Sequence, residues 1–168
     1  MGKTGAAVKR ELPRHAKGGV VDDTRRSIGA DSNLWPIRIY YEDTDAGGLV
    51  YYANYLKFME RARTEWLRAL GFEQDLLRRE AGIIFVVRAV TIDYLRPARF
   101  NDLLEVASKL EELNRVSLVI RQQVHYPGEQ EKPLCTATTK LACLDVTTLR
   151  PRPLPANLVM EINGVAVE

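Results

Sequence analysis

The sequence predicts an α+β fold, a five-stranded antiparallel sheet wrapped around one long helix, on the strength of three observations. One segment alone carries a long helical periodicity, four β-rich segments follow it without an intervening helix, and one β-branched run precedes it. Successive strands with short connections favour antiparallel pairing, because parallel neighbours need a long crossover.

The elements follow in order. After Trp35-Pro36 the run Ile37 to Tyr41 reads as the first strand. Glu42-Asp43-Thr44-Asp45-Ala46-Gly47-Gly48 is turn chemistry: aspartates that can cap backbone groups, and glycines that tolerate positive φ. From Tyr55 to Leu70 the residues Tyr55, Phe58, Met59, Ala62, Trp66, Leu67 and Leu70 recur at intervals of three and four and share one face. Lys57, Arg61, Glu65 and Arg68 take the other side, with Asn54 as N-cap and Gly71 as the C′ residue. A shorter helix is expected from Glu73 to Glu80, ended by Gly82. Strands are expected at Ile83–Tyr94, Leu103–Leu113, Val116–Tyr126 and Leu134–Asp145, with a tight hairpin at Leu113-Asn114-Arg115. Alternating prolines from Arg150 to Pro155 end the sheet, because proline cannot donate to a ladder.

At 168 residues, with 46% apolar and 27% charged, the chain has the balance of one globular domain. A net charge of +2 gives no strong field for nucleic acid or an anionic membrane surface. No apolar run is long enough to span a bilayer and no signal-peptide core is present, so the expected address is cytoplasmic. Residues 1–33 carry seven bases against four acids, no aromatic residue and little apolar periodicity, and read as a disordered basic tail before a domain at 34–168. Cys135 and Cys143 lack metal-ligand spacing and read as reduced core thiols, and no GxxxxGK or GxGxxG occurs. No metal or other cofactor is expected.

Chemistry is expected where polar groups converge on special backbone, which happens between Glu42 and Asn54. Two carboxylates and a glycine pair run into a helix N-terminus, whose unpaired amides and dipole favour negative charge. A carboxylate there can attack an acyl carbonyl or deprotonate a water, while amides hold the oxyanion. Asp-x-Asp before Gly-Gly is equally the pattern of a capped turn, and Tyr51, Tyr52 and Tyr55 fit core or interface packing. Residue types alone leave the function open. His125, late in a strand, is expected to face solvent, and Glu60 and Glu65 to pair on the helix surface.

The stretch YEDTDAGGLVYYANY from Tyr41 to Tyr55, continued by LKFMERARTEWLRALGF, resembles the active-site signature of the 4-hydroxybenzoyl-CoA thioesterase family. It is most similar to the YbgC-like, Tol-Pal-associated acyl-CoA thioesterase branch. FVVRAVTIDYLRPARFNDLLEV and RPRPLP extend the resemblance over Ile37 to Leu158. The resemblance implies a hotdog fold, assembly into dimers or homotetramers with active sites between subunits, an acyl-CoA substrate, and a possible Tol-Pal envelope link. It also implies Asp45 as the catalytic carboxylate and the Tyr52 backbone amide as oxyanion donor, with Gly48 and Asn54 completing the candidate substrate-binding set. That branch usually carries His where Tyr52 stands, so only the backbone contribution carries over. A thioester needs little acid assistance, since thiols ionise near pH ~8.5 and leave readily. Two rivals remain: a hotdog hydratase, which would want a His beside its carboxylate, and a non-catalytic acyl-thioester-binding or Tol-Pal-linked adaptor. CoA phosphates call for bases at the site mouth, with Arg88, Arg96, Arg99, Arg115 and Lys140 as candidates.

Overall fold

The computed structural model describes residues 33–164, arranged as β1 (Asn33–Arg38), α1 (Asn54–Ala69), α2 (Gln74–Leu76), β2 (Ile83–Tyr94), β3 (Leu103–Leu113), β4 (Ser117–His125), β5 (Cys135–Asp145) and α3 (Ala156–Gly164). The strands form one antiparallel sheet in the order β1-β3-β4-β5-β2. The expected tail lies outside the described residues except at Asn33, which already pairs opposite Ser108.

The first strand begins four residues earlier than expected and ends three earlier. Trp35 and Ile37 face Val106 and Leu104 across the ladder, and Pro36 is tolerated because β1 is an edge strand bonded to β3 alone. Tyr40 and Tyr41 leave the sheet because the Asp43 carboxylate accepts the Tyr40 N–H at 2.9 Å, curling the chain into a 3₁₀ turn over Tyr41–Asp43.

The periodic stripe of α1 is buried as expected at Tyr55, Phe58, Met59, Ala62 and Leu67. Asn54 is not the N-cap: Ala53 holds that place without a side-chain bond, and Asn54 is the first helical residue. At the other end Gly71, with φ 87°, donates to the Arg68 carbonyl and Phe72 to the Leu67 carbonyl, at 2.9 and 3.1 Å. These two bonds make the Schellman closure that a C′ glycine permits. The expected helix from Glu73 to Glu80 is instead the single turn of α2 followed by a wider π-type turn, Leu77–Ala81. Gly82, at φ 62°, anchors its end, its carbonyl accepting from the Val146 N–H and the Arg152 guanidinium.

The four later strands agree with expectation to within a residue or so at each end, and Asn114 N–H closes the β3–β4 hairpin on the Ser117 carbonyl at 2.8 Å. The ladder between β2 and β5 slips between Val87 and Ala89, leaving Arg88 as a bulge residue. Helix α3 was not anticipated; it buries Leu158 and Ile162, four apart, beyond the proline-rich segment.

The core has two parts. One gathers Ile37, Phe58, Met59, Leu104, Val106 and Val124; the other gathers Leu67, Ile83, Leu118, Ile120 and Leu158. A polar layer crosses beneath α1. The fully buried Gln122 amide donates to the Met59 carbonyl and to Ser108 Oγ, both at 2.9 Å, and its oxygen accepts from Arg63 Nη1 at 2.7 Å. Each polar group of Gln122 thereby recovers what burial takes from it.

Phe58 is the largest fully buried side chain. Replacing it with alanine is expected to lower the unfolding free energy by about 3–5 kcal/mol in urea titrations. A loss below ~1 kcal/mol would contradict this packing of α1 on the sheet.

Candidate active site

The segment between β1 and α1 folds as a small hairpin. Thr44 and Val50 form an antiparallel bridge, Asp45 N–H donates to the Leu49 carbonyl at 2.9 Å, and Gly48 N–H to the Asp45 carbonyl at 3.0 Å. Gly48 occupies the left-handed region at φ 73°, a conformation this turn demands and a side chain would resist. The outer strand of the hairpin is pinned to the loop after β2, where Leu49 bridges Arg99 and Val50 N–H meets the Ala98 carbonyl at 2.9 Å.

The two aspartates part company here. Asp43 is buried: its carboxylate caps Tyr40, and its backbone carbonyl accepts both Tyr51 N–H and Asn54 Nδ2 at 2.9 Å. Asp45 is exposed, with Oδ1 accepting Gly47 N–H at 2.8 Å and Leu49 N–H at 3.4 Å. These bonds fix the orientation of the carboxylate while leaving Oδ2 without an intramolecular partner among the described residues. A Cβ at Gly47 would sit 3.1 Å from Asp45 Oδ1, so glycine there gives the carboxylate room to lie against the backbone.

Two residues past the hairpin, the amides of Tyr52 and Ala53 have no acceptor among the described residues. Their peptide units are polarised from the far side. The Tyr51 carbonyl accepts Asn54 N–H at 2.9 Å, and the Tyr52 carbonyl accepts the Tyr94 hydroxyl at 3.0 Å. Hydrogen bonds in series strengthen one another, so both unpaired N–H groups are improved donors. Tyr55 supports the frame from within. Its hydroxyl accepts Ala98 N–H at 3.1 Å, its ring meets Tyr94 edge-on at 5.7 Å between centroids, and burial pushes its pKa up.

The structure thus brings Asp45, Gly48, Tyr52 and Asn54 into one loop and helix start. Asn54 acts as the strut between Asp43 and α1, where the sequence suggested a cap. His125 corrects an expectation: it is fully buried on the central strand β4, opposite Glu105, with Nδ1 2.9 Å from the Tyr126 carbonyl. A strand end in the middle of a sheet is flanked on both sides, which the linear pattern did not reveal. Cys135 and Cys143 are buried as expected, and burial raises the Cys135 thiol to about 12, far from a thiolate. Glu65 pairs with Arg68, and Glu60 accepts the Thr64 hydroxyl at 2.8 Å. Of the candidate CoA-facing bases, Arg96 is engaged with Glu129, whereas exposed Arg99 adjoins the hairpin through Leu49. Tyr94 was missed because its contact with Tyr52 spans 42 residues.

A five-stranded antiparallel sheet around one helix, with an aspartate hairpin at the helix start, defines a hotdog protein. The profile of the thioesterase-like superfamily matches residues 40–162, and the chain belongs to that superfamily and is a thioesterase. More narrowly it falls with the YbgC thioesterases. It is 43% identical over 127 residues to the acyl-CoA thioester hydrolase YbgC of Escherichia coli O157:H7, covering 76% of this chain and 92% of that one. It is also 43% identical over 121 residues to the acyl-CoA thioesterase YbgC of Haemophilus influenzae, covering 72% and 87%. The crystal structure of a probable thioesterase from Bartonella henselae superposes with a TM-score of 0.69 at 35% identity, over 74% of this chain and 99% of that one.

Asn54→Ala removes a buried donor from the Asp43 carbonyl and is expected to cost about 1–3 kcal/mol in thermal unfolding. Hydrogen exchange at the Tyr51 amide should quicken in the same variant; unchanged exchange there would mean that Asn54 does not hold the loop.

Proposed function

We propose that this thioesterase hydrolyses acyl-CoA thioesters to the free acid and CoA, with Asp45 as the catalytic carboxylate and the Tyr52 amide as oxyanion donor. One observation carries the reading: an oriented, exposed carboxylate stands on a hairpin that leads within seven residues to polarised, unpaired amides at the start of α1. The names of the YbgC relatives support acyl-CoA as the substrate class.

The chemistry follows from those groups. As the carbonyl carbon is attacked, charge collects on its oxygen, and the unpaired N–H groups stabilise that charge without reorganising. The attacking oxygen belongs either to Asp45, forming an anhydride that water then cleaves, or to a water that Asp45 deprotonates. Either route expels the CoA thiolate and returns the carboxylate. Gly48 holds the turn and Asn54 the helix start, and Arg99 is the best-placed base for a CoA phosphate.

Assembly belongs to the same proposal. The twelve-residue strand β2 has β5 on one side and, among the described residues, no partner on the other, with Val87 and Val90 well exposed. A long apolar edge is an aggregation template unless it is paired, and pairing with β2 of a second copy satisfies it. We read the protein as a homodimer or a tetramer built from such dimers, with a mass of at least twice 19.0 kDa expected by light scattering. Among the described residues no helix is long and apolar enough to cross a membrane. The cytoplasmic address expected from the sequence and the Tol-Pal link implied by the resemblance stand with this proposal and are checked by fractionation and co-purification.

Thiol release from a panel of short, long and aromatic acyl-CoAs tests the catalytic assignment. Asp45→Asn is expected to lower kcat by several orders of magnitude at unchanged folding. Tyr52→Phe should stay within about threefold of the parent, since a backbone donor survives the loss of a hydroxyl, equivalent to under ~0.7 kcal/mol. Full activity in the Asp45 variant would sink the assignment. Binding without turnover by the parent on every panel member would favour the adaptor reading.

A further inference from the structure

The start of α1 presents two neighbouring amides, and the proposed chemistry has given a role to only one of them. In the turn from Tyr51 to Asn54 the Tyr52 and Ala53 N–H groups both lack an acceptor among the described residues, and Ala53, at φ −71° and ψ −19°, already has helical backbone. Successive N–H groups in the first turn of a helix point the same way, toward its N-terminal end. A carbonyl oxygen carries two lone pairs and can accept from both.

The two amides differ in what holds the far side of their peptides. The Tyr51–Tyr52 unit is tied within the turn, its carbonyl accepting Asn54 N–H at 2.9 Å. The Tyr52–Ala53 unit is tied from outside, by the Tyr94 hydroxyl, which donates to its carbonyl at 3.0 Å and is that carbonyl's one partner among the described residues. Tyr94 is the last residue of β2, opposite Cys135, and the chain just beyond it is fastened where the Leu95 and Arg96 N–H groups share the Leu134 carbonyl at 2.8 and 3.0 Å. Its ring stands edge-on to Tyr52 at 6.1 Å and to Tyr55 at 5.7 Å between centroids. Burial raises the Tyr94 pKa, so the phenol keeps its proton at neutral pH and remains a donor. Pairing of β2 with a second copy uses main-chain groups and leaves this side-chain bond in place.

We propose that Tyr94 is a positioning residue for thioester hydrolysis: by holding the Tyr52–Ala53 peptide, its hydroxyl makes the Ala53 N–H a second donor to the oxyanion, beside the Tyr52 N–H. The inference rests on the reading of the Tyr52 amide as oxyanion donor. Tyr94 touches no reacting atom, and its effect runs through one peptide. Donation to the Tyr52 carbonyl fixes the plane in which the Ala53 N–H lies and draws electron density from its nitrogen, which strengthens the donor. The bond exists before substrate arrives, so the second donor needs no reorganisation as charge develops.

Tyr94→Phe removes the hydroxyl and keeps the ring between Tyr52 and Tyr55. Thiol release by this variant is expected to show kcat lowered roughly tenfold, short of the ~100-fold or more that outright loss of an oxyanion donor costs, with KM within about twofold of the parent. The urea midpoint should stay close to that of the parent, and the Ala53 amide proton resonance should move upfield as its peptide loses polarisation. A purely structural role would instead lower stability or raise KM in step with kcat. Difluorotyrosine incorporated in place of Tyr94 carries a more acidic phenol: it should retain kcat at neutral pH and bring the alkaline fall of kcat, where a phenolate no longer donates, to lower pH than in the parent. Tyr94→Phe should lack that alkaline limb. Undiminished kcat in Tyr94→Phe, an Ala53 amide that does not move, or an alkaline limb indifferent to fluorination would each overturn the proposal. Failure of the hydrolytic reading has a different mark, no thiol release by the parent while the Ala53 amide still moves in Tyr94→Phe. That result removes the role together with the reaction, whereas a fully active Tyr94→Phe removes the role alone.

Discussion

The arrangement of the site depends on one carbonyl. The Asp43 C=O accepts the Tyr51 N–H and the Asn54 side chain together, tying the end of the hairpin and the first residue of α1 to one point. With that node in place, α1 can begin without a side-chain cap, because its direction is already set by backbone and Asn54. The Tyr52 and Ala53 amides lie just before the first helical residue and have no acceptor among the described residues. A conventional Ser or Asp cap would spend one of the orphan donors that make a helix start attractive to an anion.

The same economy appears deeper in the molecule. A long helix wrapped by a sheet brings Met59 and Gln122 together, 63 residues apart in sequence, and the buried amide of Gln122 satisfies a helix carbonyl, a serine hydroxyl and a guanidinium at once. The polar layer separates the core that supports the hairpin from the core that α3 closes. It also holds the half-buried Arg63 guanidinium against the sheet, where the side chain would otherwise turn outward to water.

Local patterns carried most of the architecture into view from sequence. The stripe from Tyr55 to Leu70, the closing glycine at Gly71 and the four β-rich runs are decided by neighbours within a few residues, and each stands close to its expected place. What sequence could not reveal was set by partners far along the chain. β1 moved back because the Asp43 carboxylate captured Tyr40 and because an edge strand accepts Pro36. His125 is buried because β4 lies in the middle of the sheet, a matter of strand order. Helix α3 is short, and its two buried contacts, Leu158 and Ile162, belong to a core assembled from distant strands. The signal for Arg63 was present: a basic residue four positions after Met59, on the stripe otherwise given to apolar groups.

The aspartate pair shows why a motif needs its fold before roles can be assigned. Asp43 and Asp45 are the same residue type two positions apart, and either could cap a turn or serve as a base. The 3₁₀ turn draws Asp43 inward, where both its carboxylate and its carbonyl are consumed by the frame. The hairpin sends Asp45 outward, with one oxygen held by Gly47 and Leu49 and the other without a partner among the described residues. Exchange of the two roles would require the Asp43 node to release Tyr51 and Asn54, and with them the start of α1. The division of labour is therefore a consequence of backbone geometry, which consumes Asp43 in the frame and leaves Asp45 exposed.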